Sequence, residues 1–187
     1  QAHLRQGGEG DGFVVGAFPV PAAEVGVAAD QGRFEHAGAE EVGLALGKQN
    51  KWKEALAQLL TATDLDPSYS EGHVGLSWVL ASTGKLEEAL KEARLAVSLA
   101  PNDPDSHSNL AWVYSKNKDH LSAVIEYRLA LQIDPKNGQL HKALGLEFKD
   151  LGDTNSAIAQ LLSARKLLPA DYEVKLALDS LMPKGKN

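Results

Sequence analysis

Pro67, Pro101, Pro135 and Pro169 are spaced 34 residues apart, and that step limits the possible folds more than any other feature of the chain. The same step links Ala55, Ala89, Ala123 and Ala157, and again Ala62, Ala96, Ala130 and Ala164. Leu65, Leu99, Ile133 and Leu167 form a fourth column, and Val42, Leu76, Leu110 and Leu144 a fifth. Columns held in one register over four copies specify a repeat array, in which each unit buries its apolar face by stacking on its neighbours.

Within each copy, apolar residues recur at helical spacing. This predicts first helices near 36–48, 70–82, 104–116 and 138–150, and second helices near 52–65, 86–99, 120–133 and 154–167. Asn50, Gly84, Lys118 and Gly152 fall in the turn inside each pair, where glycine enters the left-handed region without steric cost. Asp103 is placed as a cap with Pro104 in the first turn, and Asp119 and Asp153 as caps of two second helices. Each proline ends its unit because it lacks the N–H a continuing helix would use. The small alanines let neighbouring helices approach closely.

These residues resemble the tetratricopeptide-repeat family. The pattern is carried by "LAWVYSKNKDHLSAVIEYRLALQIDP" and most fully by the fourth copy, which keeps Leu144-Gly145, Phe148, Gly152, Ala157, Ala164 and Pro169. The first copy departs most, with Ala39 at a position that is usually large and Val42-Gly43 in place of Leu-Gly. The resemblance covers about 36–169 and implies an all-α, right-handed solenoid of helix–turn–helix units, 36–69, 70–103, 104–137 and 138–171 by period. The segment 171–183 is expected to form a capping helix, with Val174, Leu178 and Leu181 facing the fourth unit and 184–187 as a tail. Residues 1–35 are expected to be a flexible, glycine-rich segment, with a degenerate helix at 22–35.

Composition excludes some functions. There is no cysteine, hence no disulfide, thiol catalysis or thiolate metal site. A formal charge of −6 disfavours nucleic acid, whose phosphates need a basic footprint. No apolar run approaches the roughly 20 residues that span a bilayer, so no membrane insertion is expected. "FVVGAFPVPAA" is interrupted by Gly16, Pro19 and Pro21 and lacks a basic region before it, which argues against a retained signal peptide. Compartment stays unknown: a soluble chain starting at Gln1 is compatible with cytoplasm and periplasm alike.

Function is sought on the first helices, which the resemblance implies line a concave face. In 70–82, His73, Leu76 and Leu80 share one stripe, while Glu71, Val74, Trp78, Ala81 and Ser82 share another. Stepping by 34 from Trp78 gives Leu44, Trp112 and Leu146, so this column is apolar in every copy. Either the tryptophans are spacers packed between successive first helices, or their faces remain open as anchors for a partner. A tryptophan buries about 150–250 Å², worth at most about 4–6 kcal/mol, and adjacent tryptophans suit a binding hot spot. Partial exposure is expected. Lys116, Lys142 and Lys149 make the floor basic toward the fourth copy, with Glu71 and Asp105 on one rim. That arrangement predicts a peptide partner with an apolar anchor and some acidic character.

Two specialised uses of the resembled family are disfavoured. A carboxylate clamp would need lysine, arginine and asparagine where Glu40, Leu44 and Gly75 stand. An asparagine ladder finds only Asn109, beside Glu41, Gly75 and Ala143. His73, His107 and His141 also repeat at 34, but stacked helices sit about 10 Å apart, whereas zinc–nitrogen distances are about 2 Å. No metal or other cofactor is expected, and partial burial between helices is the expected role of these histidines. No phosphate loop or nucleophile–base pair is present in the sequence. The expectation is a non-catalytic interaction scaffold that binds a peptide through Trp78, Trp112, Leu44, Leu146 and Val74, with Lys116, Lys142 and Lys149 giving polar selection. Two alternatives stay open: a regulatory or substrate-recruiting fragment of a larger enzyme, and a homo-oligomeric, self-assembling protein.

Overall fold

The computed structural model describes residues 22–182, with side chains from Glu35 onward. Among the described residues the chain is helical throughout, without strands: α1 (Ala22–Lys48), α2 (Trp52–Leu65), α3 (Ser70–Ser82), α4 (Leu86–Leu99), α5 (Pro104–Lys116), α6 (His120–Ile133), α7 (Gly138–Asp150), α8 (Thr154–Leu167) and α9 (Tyr172–Leu181). Helices pair as α1–α2, α3–α4, α5–α6 and α7–α8, successive pairs stack, and α9 lies on α8. The result is an all-α solenoid. α1 reaches back to Ala22, so 22–35 continues the first helix rather than forming a separate degenerate one. The expected flexibility of residues 1–21 and of the 184–187 tail lies outside the described residues.

The columns explain why the pairs close. Ala55, Ala89, Ala123 and Ala157 are fully buried, as are Ala62, Ala96, Ala130 and Ala164. At these points one helix rests on another with room for a methyl group only. Leu76, Leu110 and Leu144 are buried beside them, but Val42 of the same column is 49% exposed. Among the described residues nothing stacks on its side of α1.

Two further columns face each other within each pair. A Cβ added at Gly43 would come within 2.7 Å of Leu59 Cγ, and one at Gly145 within 2.8 Å of Leu161 Cγ. In the middle units the same columns hold Ser77 with Ala93, and Ala111 with Tyr127. In the second unit a smaller residue on the second helix thus goes with a larger one on the first, whereas Ala111–Tyr127 is larger at both positions. Tyr127 is the bulkiest member of its column and shares a buried cluster with Ala111 of α5 and with Leu140, Leu144 and Phe148 of α7. Its ring occupies space between the third and fourth pairs. Correspondingly, α5 and α7 approach far less closely than α1 and α3, or α3 and α5.

Turns and caps follow local chemistry. Asn50, Gly84, Lys118 and Gly152 all take positive φ, at 60°, 84°, 64° and 77°. Lysine pays a steric penalty there that glycine does not. The Asp103, Asp119 and Asp153 carboxylates accept from the backbone N–H of Ser106, Ser122 and Ser156. Asn137 and Asp171 cap α7 and α9 in the same way. Val174, Ala177 and Leu178 of α9 are buried with Leu161 and Ala164 of α8, and Leu181 packs partly against them. α9 therefore covers an apolar end that would otherwise face water.

Candidate functional site

Because first helices stack on first helices, residues 34 apart on their inner side fall in a row. Leu44, Trp78, Trp112 and Leu146 line one continuous groove of about 1010 Å³, together with Val74, Gly75, Ser108, Asn109, Ser115 and Ala143. All four members of the apolar row are half-buried. Trp78 is packed on one side and open on the other. A Cβ at Gly47 would run into its ring, and Trp52 meets it edge-on with centroids 5.8 Å apart, while the rest of the indole borders the groove. Trp112 carries the Lys116 ammonium 5.2 Å from its ring centroid, a cation–π arrangement.

The charges fall differently from the basic floor expected. Lys116 and Lys149 are not among the lining residues, and both are exposed. Lys142 does line the groove but is committed: its Nζ lies 3.0 Å from Asp171 Oδ2 and 3.1 Å from Glu173 Oε2. Burial works against its charge, yet these two hydrogen bonds outweigh it and hold the ammonium above the ordinary lysine value. The lining also contains Glu40, Glu71, Asp103, Asp105, Glu147, Asp150 and Glu173. The groove is acidic. Burial, and then the charges of Asp103 and Asp134, push the Asp105 carboxyl up from its ordinary value. Burial also raises Glu40, against a hydrogen bond from Tyr69 and with help from Glu71. Tyr69 in turn is pushed up to about 12 by burial and the neighbouring carboxylates.

Sequence reasoning placed Glu71 and Asp105 on a rim but stopped there. The same step continues to Gln139 and Glu173, and all four line the groove. Tyr127 was missed altogether because it projects from a second helix, α6, through the gap between α5 and α7. It is 5% exposed, and its hydroxyl has no hydrogen-bond partner among the described residues; burial, and then Glu147, push its proton affinity up. Glu147 is also buried, and its Oε2 accepts from His120 Nδ1 at 2.8 Å.

The histidine column has a structural use. His73 Nδ1 lies 2.7 Å from Glu92 Oε2 and its Nε2 3.2 Å from the Pro67 carbonyl. His107 repeats this with Glu126 at 2.7 Å and Pro101 at 3.0 Å. His141 does so with Gln160 at 2.8 Å and Pro135 at 3.2 Å. Each ring ties a first helix to its own second helix and to the closing proline of the preceding unit. The described residues contain no cluster of three or more His, Cys, Asp or Glu able to hold a metal ion. No described helix is long and apolar enough to cross a membrane.

Two family models, both described as tetratricopeptide repeat, match residues 43–104 and 104–137. No curated protein matches the chain. Among solved structures, one from the functional characterisation of Pseudomonas aeruginosa pilF superposes with a TM-score of 0.77 at 19% identity, over 81% of this chain and 69% of the other. A thermophilic repeat protein of Thermus thermophilus gives 0.70 at 21% identity, over 78% and 80%. MamA from Desulfovibrio magneticus RS-1, from residue 41 to its end, gives 0.63 at 18% identity, over 73% and 77%. At these identities the likeness is one of fold.

Proposed function

Because the chain belongs to the tetratricopeptide-repeat family, a family of protein-interaction scaffolds, we propose that it binds a peptide segment of a partner protein along the groove between its first helices. The observation that carries this reading is the half-buried row Leu44–Trp78–Trp112–Leu146, which lines one groove of about 1010 Å³. Packing against Gly47 and Trp52 holds Trp78 in place, so little of its rotamer freedom is lost when a ligand covers it. Val74 extends the apolar strip beside Trp78. We read the role as non-catalytic, the general use of tetratricopeptide-repeat scaffolds.

The test begins with a random library of displayed peptides about 12 residues long, enough to run the length of the row when extended. Selected peptides are then titrated against the parent, Trp112→Ala and Ser115→Phe, each checked for parental helicity. Trp112→Ala removes an anchor, whereas Ser115→Phe fills the groove without deleting packing. Loss of affinity in both supports the reading. Equal affinity across all three proteins would place binding elsewhere.

A further inference from the structure

The rim of the groove is a row of carboxylates at the repeat step. Glu71 and Asp105 occupy adjacent first helices, Glu40 stands beside Glu71, and Glu173 closes the far end. Acidic residues in a helix's first turn complement its dipole, which would account for Glu71, Asp105 and Glu173 individually. Glu40 lies on α1 well past that helix's first turn and accepts a hydrogen bond from Tyr69, and helix dipoles do not account for the convergence of all four on one groove. Lys142, the one basic lining residue, is already paired with Asp171 and Glu173, and so offers nothing to balance Glu40, Glu71 or Asp105.

A second and independent observation is Tyr127. Its side chain is buried, it borders the groove, and its hydroxyl is unpartnered among the described residues. No buried side-chain polar atom of the described residues lacks a partner, so this hydroxyl is open to the groove, where water or a polar group of a ligand takes its hydrogen bond. A helical ligand has its backbone groups satisfied internally, whereas an extended one presents free carbonyls and N–H groups along its length.

We propose that the groove takes an extended peptide that is basic as well as apolar, with two lysine or arginine residues three apart on Glu71 and Asp105 and an apolar side chain on the Trp78–Trp112 pair. This rests on the groove reading above and narrows its ligand, reversing the acidic partner expected from sequence. The spacing follows from geometry: adjacent packed helices stand about 8–10 Å apart, and an extended chain of polyproline-II form advances about 3.1 Å per residue with three residues per turn, which returns i and i+3 to one face. Tyr127 donates to a backbone carbonyl of the segment. The raised carboxyls of Asp105 and Glu40 agree, since a bound cation relieves the mutual repulsion and desolvation that lift them.

The composition of the selected peptide pool tests this separately from groove binding. The expected result is enrichment of Lys and Arg at i and i+3 around an apolar residue. Affinity should then fall at least tenfold in Glu71→Lys/Asp105→Lys at low salt, with a smaller loss at high salt. Both residues are exposed, so this variant keeps its fold. Tyr127→Phe, which preserves the packing, should weaken the same peptides by about 3–10-fold. A neutral or acidic pool that still loses binding in Trp112→Ala and Ser115→Phe overturns the basic ligand and leaves the groove reading standing. Basic residues spaced seven apart, as on one helix face, overturn the extended form. A pool indifferent to both groove variants, or no enrichment at all, overturns both readings together.

Discussion

The histidine ties make an internal comparison that few proteins offer: the same geometry with a charged partner in one unit and a neutral one in the next. His107 faces the Glu126 carboxylate at 2.7 Å, with side chains 9% and 18% exposed, and the Pro101 carbonyl at 3.0 Å. With the pair largely out of water, a hydrogen bond to the charged Glu126 carboxylate contributes about 1.5–3 kcal/mol, and the His141 contact at 2.8 Å with the uncharged Gln160 amide about 0.5–1.5 kcal/mol. Truncating His107 also strands the Pro101 carbonyl and removes a buried ring, so His107→Ala alone should cost about 3–4 kcal/mol. Double-mutant cycles isolate the contact. His107→Ala with Glu126→Ala, and His141→Ala with Gln160→Ala, are to be measured by urea unfolding followed by circular dichroism. The coupling at His107–Glu126 should exceed that at His141–Gln160 by about 1–2 kcal/mol. Equal couplings, or the reverse order, would refute the assignment of a charge-assisted bond to the third unit.

Three other outcomes follow from the structure. Lys118→Gly, at a φ of 64°, should stabilise the fold by about 1 kcal/mol in the same unfolding assay, while Gly84→Ala should destabilise it by a similar amount. Ala130→Leu, at a fully buried position between stacked helices, should cost about 1–3 kcal/mol and lower the melting temperature. The Asp119 and Asp153 carboxyls are held below their ordinary values, chiefly by hydrogen bonds from Ser122 and Ser156, and Asp171 by the Val174 N–H and then Lys142. Their contribution is therefore complete above the unfolded value near pH 4 and is lost as pH falls through the lower folded values. Asp119→Asn/Asp153→Asn, which keeps the caps without the titration, should flatten the acid limb of a stability–pH curve.

What the sequence made legible was whatever repeats. The helix positions, the buried alanines and the Leu44–Trp78–Trp112–Leu146 row follow from a 34-residue register, because identical units stacked in order bring equivalent residues together. What it hid was whatever breaks the register. Lys142 looked free because its partners, Asp171 and Glu173, come from α9 and its cap, beyond the last complete unit. Val42 looked buried because its column is, yet burial depends on a neighbour at that end of the stack. Tyr127 was invisible as a groove residue because only its size, set against Leu59, Ala93 and Leu161, opens the gap through which it reaches. Net groove charge is a sum over several helices, and three lysines taken column by column gave it the wrong sign.

The histidine ties also set the grain in which such a chain can be edited. Each ring finds its carbonyl six residues upstream, on the preceding unit, and its side-chain partner 19 residues downstream, on its own. Excising residues 70–103 would bring Pro67 to the place Pro101 held, and His107 would meet an equivalent pair, the Pro67 carbonyl and Glu126. A deletion or duplication of one whole period therefore rejoins every tie, while one a residue longer or shorter leaves a carbonyl and a ring unmatched at the seam. Length is inherited in units, and the wiring itself rejects fractions.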